Sequence, residues 1–189
     1  MIIRKARKED AGQIAEIYRP YVEETAISFE CTAPCKEEMC RRITQTLKTY
    51  PWLVAEETGE ILGYAYTGRY KERKAYDHAA EISIYIKKEH HKKGIGKALY
   101  LKLEEISKEQ NITNLYACIT TERNKDSERT SESTRFHEHM GYKFIALFNC
   151  SGNKFGKWYN TVFMEKIIGA HPENPPEIIP FSELNTDQK

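Results

Sequence analysis

A short glycine-containing segment constrains this chain more than any other feature. Its sequence, Lys92-Lys93-Gly94-Ile95-Gly96-Lys97, follows an alternating run of isoleucines and precedes a stretch with apolar residues at helical spacing. Two glycines permit a tight turn without Cβ clashes. The amides of such a turn, together with the positive end of the following helix dipole, can bind one anion. The segment alone fits either an anion cradle or an ordinary turn before a helix.

Two common types of glycine-rich loop are excluded by the neighbouring residues. A phosphate-binding P-loop needs a glycine five residues before its second glycine and a Ser or Thr after its lysine. His91 and Ala98 occupy those positions. A dinucleotide fingerprint needs a third glycine where Leu99 stands, and it belongs in the first βα unit of a parallel sheet. The segment therefore belongs to another class.

The overall composition limits the possible partners. The 189 residues suit one domain, and 29 basic against 28 acidic residues leave a net charge of +1. This balance gives no reason to expect nucleic acid or a membrane as partner. No apolar run approaches the ~20 residues of a membrane span, and the start lacks a signal-peptide core, so we predict a cytoplasmic protein. Cysteine spacing matches no zinc motif, and no metal site is predicted.

The hydrophobic periodicity predicts a mixed α/β domain. The expected element order is β-α-α-β-β-β-α-β-α-β-β, and its clearest strand, Glu81 to Lys87, alternates three isoleucines with polar residues. We place this domain at residues 1–168. Residues 169–189 are rich in proline, glycine and polar residues, which predicts a weakly ordered tail.

Several stretches share the residue types and spacing of one enzyme family. They are Tyr50–Glu56 (YPWLVAE), Lys71–Asp77 (KERKAYD), Ala80-Glu81, Phe136–Glu138 with Gly141-Tyr142, and Lys154–Trp158 (KFGKW). In these stretches and in the glycine segment, the chain resembles the GNAT superfamily of N-acetyltransferases. Its likeness is to the phosphinothricin and methionine sulfoximine acetyltransferase branch, over about residues 1–167. One departure is His91, where the family has Gln or Arg before its glycines.

This resemblance implies a fold and a cosubstrate. The expected GNAT fold has a mixed, mostly antiparallel central sheet, splayed between its fourth and fifth strands and flanked by about four helices. Acetyl-CoA is the implied cosubstrate, with its pyrophosphate on the segment from Lys92 to Lys97. The backbone of Ile84, Tyr85 and Ile86 is implied to pair with its pantetheine arm. The resemblance also implies a small-molecule amine substrate and a homodimer.

Two residues are candidates for the catalytic proton transfers. An amine attacks only after losing its proton, and a carboxylate in the cleft can accept that proton. Glu81 is the candidate base, because strand alternation places it opposite the isoleucines and it precedes the glycines by the family's spacing. His137 stands where many family members have a tyrosine that protonates the leaving thiolate. The alternatives are a surface glutamate and a histidine that packs locally.

The remaining site candidates concern the cofactor contact and the substrate. The family has an asparagine that contacts the cofactor before the helix containing His137. Asn124 is our choice, although the spacing implies an insertion within residues 125–134. Lys71 and Arg73 are candidates for binding a substrate carboxylate, unless they are merely exposed hairpin residues. Phe29 and Tyr85 are candidates for the walls around the substrate side chain.

Three functional hypotheses remain open from the sequence. The first is acetylation of a small amino-acid-like amine. The second is acetylation of protein or peptide amines, which would need an acidic groove that no acidic run supplies. The third is a non-catalytic acyl-CoA-binding module, which could discard Glu81. The presence of Glu81 favours catalysis.

Overall fold

A computed structural model describes residues 1–123 and 131–184. In this part of the chain, seven strands form one sheet in the order β1-β2-β3-β4-β5-β7-β6. The strands are β1 (Ile2–Lys5), β2 (Trp52–Glu57), β3 (Glu60–Arg69), β4 (Ala79–Ile86), β5 (Asn114–Thr121), β6 (Lys143–Lys154) and β7 (Lys157–Ile167). The helices are α1 (Ala11–Glu23), α2 (Lys36–Thr46), α3 (Ile95–Glu109) and α4 (Glu132–His139).

Pairing within the sheet confirms the expected mixed, mostly antiparallel arrangement. Every neighbouring pair is antiparallel except β4 and β5, which run parallel. These two strands pair over only three positions, the last of which joins Glu81 to Tyr116. Beyond this point they separate, as the resemblance implied. Parallel neighbours need a long crossover connection, and α3 supplies it.

Two apolar cores lie on opposite faces of the sheet. Ile82 of β4 faces the core that contains Leu99 and Leu103 of α3. The other face is covered by α1 and α2, whose Ile14 and Met39 pack in a separate core with Trp52. The alternation along β4 therefore assigns its isoleucines to the α3 side and Glu81, Ser83 and Tyr85 to the opposite face.

Residues 169–184, for which a weakly ordered tail was predicted, make specific contacts with the domain. The side chain of Phe181 is 2% exposed and belongs to the core beneath α3. The buried Gln110 side-chain amide donates to the carbonyls of Thr49 and Ile179 at 2.6 and 2.9 Å. The Phe181 amide donates to the Thr49 carbonyl at 3.0 Å. High proline content does not prevent this anchoring, because a buried aromatic ring and hydrogen bonds to residues of the domain hold the segment.

Within the described ranges, no helix combines the length and apolarity needed to cross a membrane.

Candidate active site

The glycine segment forms a sharp turn into α3. Lys92 and Gly94 have φ values of 61° and 82°, and Gly94 is the N-cap residue of the helix. At Gly94 the left-handed backbone favours glycine, since a Cβ there would be strained. The amides that follow, at the N-terminus of a 15-residue helix, have no carbonyl partner within the helix. This geometry fits the anion cradle rather than an ordinary turn.

Gly96 has a different role, which is close packing. A Cβ at this position would lie 3.1 Å from the Phe136 ring and 3.3 Å from the Ile84 side chain. Glycine therefore allows the start of α3 to lie close to both α4 and β4. The cradle is thereby held next to the strand that is expected to bind the same cofactor.

Three lysines place positive charge around this turn. Lys92, Lys93 and Lys97 are all exposed. The Lys92 ammonium lies 2.8 Å from Glu132 at the start of α4, with both side chains largely exposed. Such a surface pair contributes at most about 1 kcal/mol, so an incoming polyanion can displace it readily.

The pairing of β4 with β3 determines which backbone groups of β4 point into the gap between β4 and β5. The Lys87 amide donates to the Leu62 carbonyl at 2.9 Å, and Ile86 lies opposite Gly63. Because hydrogen-bonded and non-hydrogen-bonded pairs alternate, the backbone groups of Ile84 and Ile86 point away from β3 and towards β5. Those of Tyr85 point towards β3. The expectation for the pantetheine arm therefore fits Ile84. It does not fit Tyr85, whose backbone is used within the sheet, or Ile86, whose N–H and carbonyl bind side chains.

Two side chains to which the sequence analysis assigned no role, Tyr21 and His91, bind the backbone of Ile86 at the end of β4. The hydroxyl of Tyr21 in α1 donates to the Ile86 carbonyl, and the His91 ring nitrogen Nε2 lies 3.0 Å from the same oxygen. A carbonyl only accepts, so Nε2 carries the proton. Both lone pairs of the Ile86 carbonyl are thus occupied. His91 holds β4 with its side chain at the position where the family has Gln or Arg.

Glu81 is partly buried, and it lies at the last position where β4 pairs with β5. Burial raises the pKa of its carboxyl group above the usual value, and the nearby positive charge of Lys71 opposes this rise. A carboxylate in a poorly solvated position accepts a proton more readily than one in water. The geometry and the electrostatics both suit a general base.

His137 also faces the opening, but in a form that does not suit a proton donor. It is 4% exposed, and burial lowers its pKa to about 4. Its Nδ1 lies 2.7 Å from the Ser133 carbonyl and must donate to it, whereas Nε2 accepts from the Tyr100 hydroxyl at 2.8 Å. The ring is therefore neutral, and its single proton is already engaged. This arrangement favours the alternative, a histidine that packs and hydrogen-bonds locally, over the role of acid.

The predicted substrate residues differ in their exposure and in their neighbours. Lys71 is close enough for its charge to affect Glu81, and its ammonium lies 5.2 Å from the centre of the Tyr70 ring. Arg73 is exposed at the start of a short turn on the same connection. Phe29 is 37% exposed and lies 6.4 Å from the Tyr159 ring, under the β6–β7 hairpin.

Two further candidates have different outcomes. The Tyr85 side chain packs edge-on against Tyr18 and Tyr21, with ring centres 4.7 and 5.2 Å apart, so it forms the floor of the site rather than a free wall. Asn124 lies outside the described residues, as does most of the stretch expected to contain the insertion.

The opening between β4 and β5 is a narrow cleft. Its lining combines isoleucine side chains with a few polar groups, namely Ser83, Cys118, Thr120, Ser133 and His137. Glu81 lies near the start of β4 and the glycine turn follows its end, so the two lie towards opposite ends of the strand that forms one side of the cleft. Among the described residues, no cluster of three or more His, Cys, Asp or Glu side chains is positioned to bind a metal ion.

Comparison with known proteins agrees with this geometry. The sequence matches the acetyltransferase (GNAT) domain family over residues 3–163. The chain belongs to the GNAT family. It is an acetyl-CoA-dependent N-acetyltransferase, and the turn at Gly94, the lysines and the free edge at Ile84 fit acetyl-CoA.

Individual GNAT relatives are similar over nearly their whole lengths. The phosphinothricin N-acetyltransferase of Alcaligenes faecalis is 33% identical over 93% of this chain and 86% of the relative. An L-amino acid N-acyltransferase of Escherichia coli is 31% identical over 92% of this chain and 97% of the relative. The crystal structure of a phosphinothricin acetyltransferase from Sinorhizobium meliloti with acetyl-CoA has a TM-score of 0.84 and 32% identity, covering 96% and 97% of the two chains.

Proposed function

We propose that this GNAT enzyme acetylates the amine of a small amino-acid-like substrate, with Glu81 as the general base. The observation that carries the proposal is the position of this carboxylate. It is partly buried, its pKa is raised, and it lies where β4 and β5 begin to separate. A base in this place borders both the cleft between β4 and β5 and the face of the sheet on which α1 and α2 pack.

The named relatives support the substrate class. They include phosphinothricin N-acetyltransferases, an L-amino acid N-acyltransferase and an L-methionine sulfoximine/L-methionine sulfone acetyltransferase of Salmonella typhimurium. Each of these names describes an amine on an amino-acid framework. Lys71, whose charge acts on Glu81, and Arg73, which is exposed on the same connection, provide two cations for the carboxylate of such a molecule.

The residues then divide the work as follows. Acetyl-CoA, when bound, supplies the acetyl group as a thioester. Lys71 and Arg73 hold the substrate carboxylate, which leaves the ammonium group directed at Glu81. Glu81 takes the proton, directly or through a water molecule, so that the amine becomes a nucleophile. Since His137 is neutral and already engaged, we assign protonation of the leaving group to solvent rather than to this residue.

A homodimer, which the resemblance implies, and a cytoplasmic location, which the sequence analysis predicts, also remain predictions.

The test is release of free thiol from acetyl-CoA with a panel of amines. The panel contains phosphinothricin, methionine sulfoximine, methionine sulfone, polyamines and a lysine-containing peptide. We expect turnover with the amino-acid-like amines, and we expect Glu81→Gln to lower kcat/KM by roughly 10²–10⁴-fold, the usual contribution of a general base.

The control is the thermal stabilisation of Glu81→Gln by acetyl-CoA, which should equal that of the wild type because the cradle is untouched. Undiminished turnover in the variant would refute the role of Glu81. Turnover with the peptide alone would instead assign the enzyme to protein amines.

A further inference from the structure

The last residue of β6, Lys154, has a cationic side chain that is buried in the protein. It is 5% exposed, and its ammonium donates to the backbone carbonyls of Val22 and Ser28, each at 2.6 Å. A buried charge is costly unless hydrogen bonds compensate for it, and a lysine head group can donate three. Both of these partners are main-chain atoms, so the ammonium fixes the course of the chain between them.

The two carbonyls border a short stretch, the 22–28 segment, which joins the last turn of α1 to the loop after it. Ile27, directly before Ser28, lines the cleft between β4 and β5 together with Ser83, although its side chain is 53% exposed. Ser83 is two positions from Glu81, and alternation along β4 directs both to the same face. The 22–28 segment therefore places an apolar side chain near the proposed base.

The 22–28 segment is held from both sides of the gap between β4 and β5. On the β4 side, the Tyr18 hydroxyl of α1 lies 2.6 Å from the Ser28 hydroxyl, and the Tyr18 ring packs against Tyr85. On the β5 side, Lys154 lies opposite Lys157 of β7, and β7 pairs with the whole of β5. Lys154 thus connects the segment to the half of the sheet that α1 does not hold.

The β6–β7 hairpin touches the same loop at a second point. A Cβ built at Gly152 of β6 would lie only 2.3 Å from the Phe29 ring. The φ of Gly152 is outside the left-handed region, so this close approach, rather than the backbone conformation, accounts for the glycine. The contact shows that the residues after the 22–28 segment pack directly on the hairpin.

We propose that Lys154 is a positioning residue for the acetyl transfer, because its ammonium fixes the 22–28 segment and thereby holds Ile27 against the cleft near Glu81. This inference rests on the proposed function, and it adds a residue that acts through Ile27 rather than on the reacting atoms. An apolar side chain in this place restricts the positions open to the amine, and such restriction promotes attack. Loss of the ammonium would free the segment while leaving Glu81 and the glycine turn unchanged.

Hydrogen exchange measures the mobility of the segment independently of turnover. In Lys154→Met, the amides of residues 23–30 should exchange about tenfold or more faster than in the wild type, as expected for the loss of hydrogen bonds to a charged group. Lys157→Met is the matched control, because it removes an exposed lysine from the facing position of the same hairpin and should leave exchange unchanged. Wild-type exchange in a folded Lys154→Met variant would overturn the inference.

The kinetic test uses the free-thiol assay with the amine of the panel that gives the highest kcat/KM. We expect Lys154→Met to raise the KM for this amine by about tenfold, since a small misplacement can cost this much. The thermal stabilisation by acetyl-CoA should stay at its wild-type value, because the glycine turn is untouched. A loss of acetyl-CoA stabilisation equal to the loss of amine affinity would mean general damage to the fold and would overturn the positioning role.

A double-mutant cycle tests whether Lys154 acts through Ile27. If it does, adding Lys154→Met to Ile27→Ala should change the amine KM little beyond the effect of Ile27→Ala alone, because coupled residues are not additive. Fully additive effects would overturn this route of action.

Gly152→Ala displaces the loop without altering the charge, which keeps the inference testable if Lys154→Met does not fold. The added methyl group must move the Phe29 ring, so exchange in residues 23–30 and the amine KM should both increase. Wild-type values of both in Gly152→Ala would overturn the inference.

The two readouts separate this inference from the proposed function. A wild-type protein that releases no thiol with any amine defeats the proposed function, and the exchange comparison then decides the role of Lys154 in holding the segment. Faster exchange in Lys154→Met with an unchanged amine KM leaves the proposed function intact and overturns the positioning role.

Discussion

Burial acts on the two ionisable candidates at the cleft in opposite directions. It raises the pKa of Glu81 and lowers that of His137 to about 4, because a poorly solvated site disfavours whichever form is charged. For the carboxyl group, this brings the proton affinity closer to that of an amine and makes it a better base. For the imidazole, it removes the proton that an acid would donate. Burial therefore favours the predicted role of Glu81 as base and disfavours the predicted role of His137 as acid.

The electrostatic link between Lys71 and Glu81 predicts a shift in the pH profile. The positive charge of Lys71 lowers the pKa of Glu81, in opposition to burial. Without it the pKa rises, and a higher pH is needed to ionise the base. We therefore expect Lys71→Met to move the acidic limb of the kcat/KM profile to higher pH. The position of the limb is the readout, since a weaker KM changes only the height of the profile.

Lys74→Met is the matched control for this experiment. Lys74 belongs to the same connection but pairs with Glu177 at 3.3 Å, with both side chains more than four-fifths exposed. Its profile should coincide with that of the wild type. An equal displacement of the limb in both variants would mean that the charge of Lys71 has no specific effect on Glu81.

The sequence could predict Glu81 but not its neighbours at the end of β4. Strand alternation and spacing are local properties, so they place Glu81 without any knowledge of the fold. Tyr21 binds the carbonyl of Ile86, which lies 65 residues away in the chain, and this contact exists only because α1 packs across β4. The departure at His91 was visible in the sequence, but its carbonyl partner was not.

At the scale of elements, the start of α3 depends on two glycines with separate physical reasons. Gly94 adopts the left-handed backbone of the N-cap, and Gly96 allows α3 to pack closely against Phe136 and Ile84. The sequence analysis interpreted both glycines as permitting a tight turn. The close contact of Gly96 with Phe136 involves a helix that begins 36 positions later in the chain, at Glu132. Packing of this kind cannot be deduced from a local motif.

Gly96→Ala should weaken the contact of α3 with α4 and β4. The added methyl group lies too close to the Phe136 ring, and overpacking costs about 1–3 kcal/mol, of which better helix propensity offsets about 0.5–1 kcal/mol. We expect a modest loss of stability in urea unfolding and weaker acetyl-CoA binding, because the cradle moves relative to β4. Addition of Phe136→Leu should restore part of both losses. No recovery in the double variant would refute the steric explanation.

At the scale of the molecule, residues 169–184 make contacts with the domain that its hydrophobic periodicity did not indicate. The seven strands and four helices follow apolar patterns that local sequence reveals. The segment up to Leu184 follows no such pattern, and it is held by the single ring of Phe181 and by Gln110. Isolated anchors carry no periodic signal, which explains why the sequence predicted only a tail.

Phe181→Ala tests whether this anchor contributes to global stability. Removal of a buried phenylalanine ring costs about 3–5 kcal/mol. For a domain of this size, that loss lowers Tm by roughly 6–20 °C. The control, Ile179→Ala, removes a side chain that is already 36% exposed and should have a small effect. Equal Tm values for Phe181→Ala and the wild type would show that the segment contributes nothing to stability.

Because β4 pairs with β5 at only three positions, Glu81 lies at the point where these two strands separate. Its backbone is fixed by a strand on each side, while the next residues of β4 have a neighbour on one side only. The proposed base and the free strand edge therefore both depend on the position at which β4 and β5 stop pairing. A change in the length of this pairing would alter the surroundings of Glu81 and the length of the free edge together.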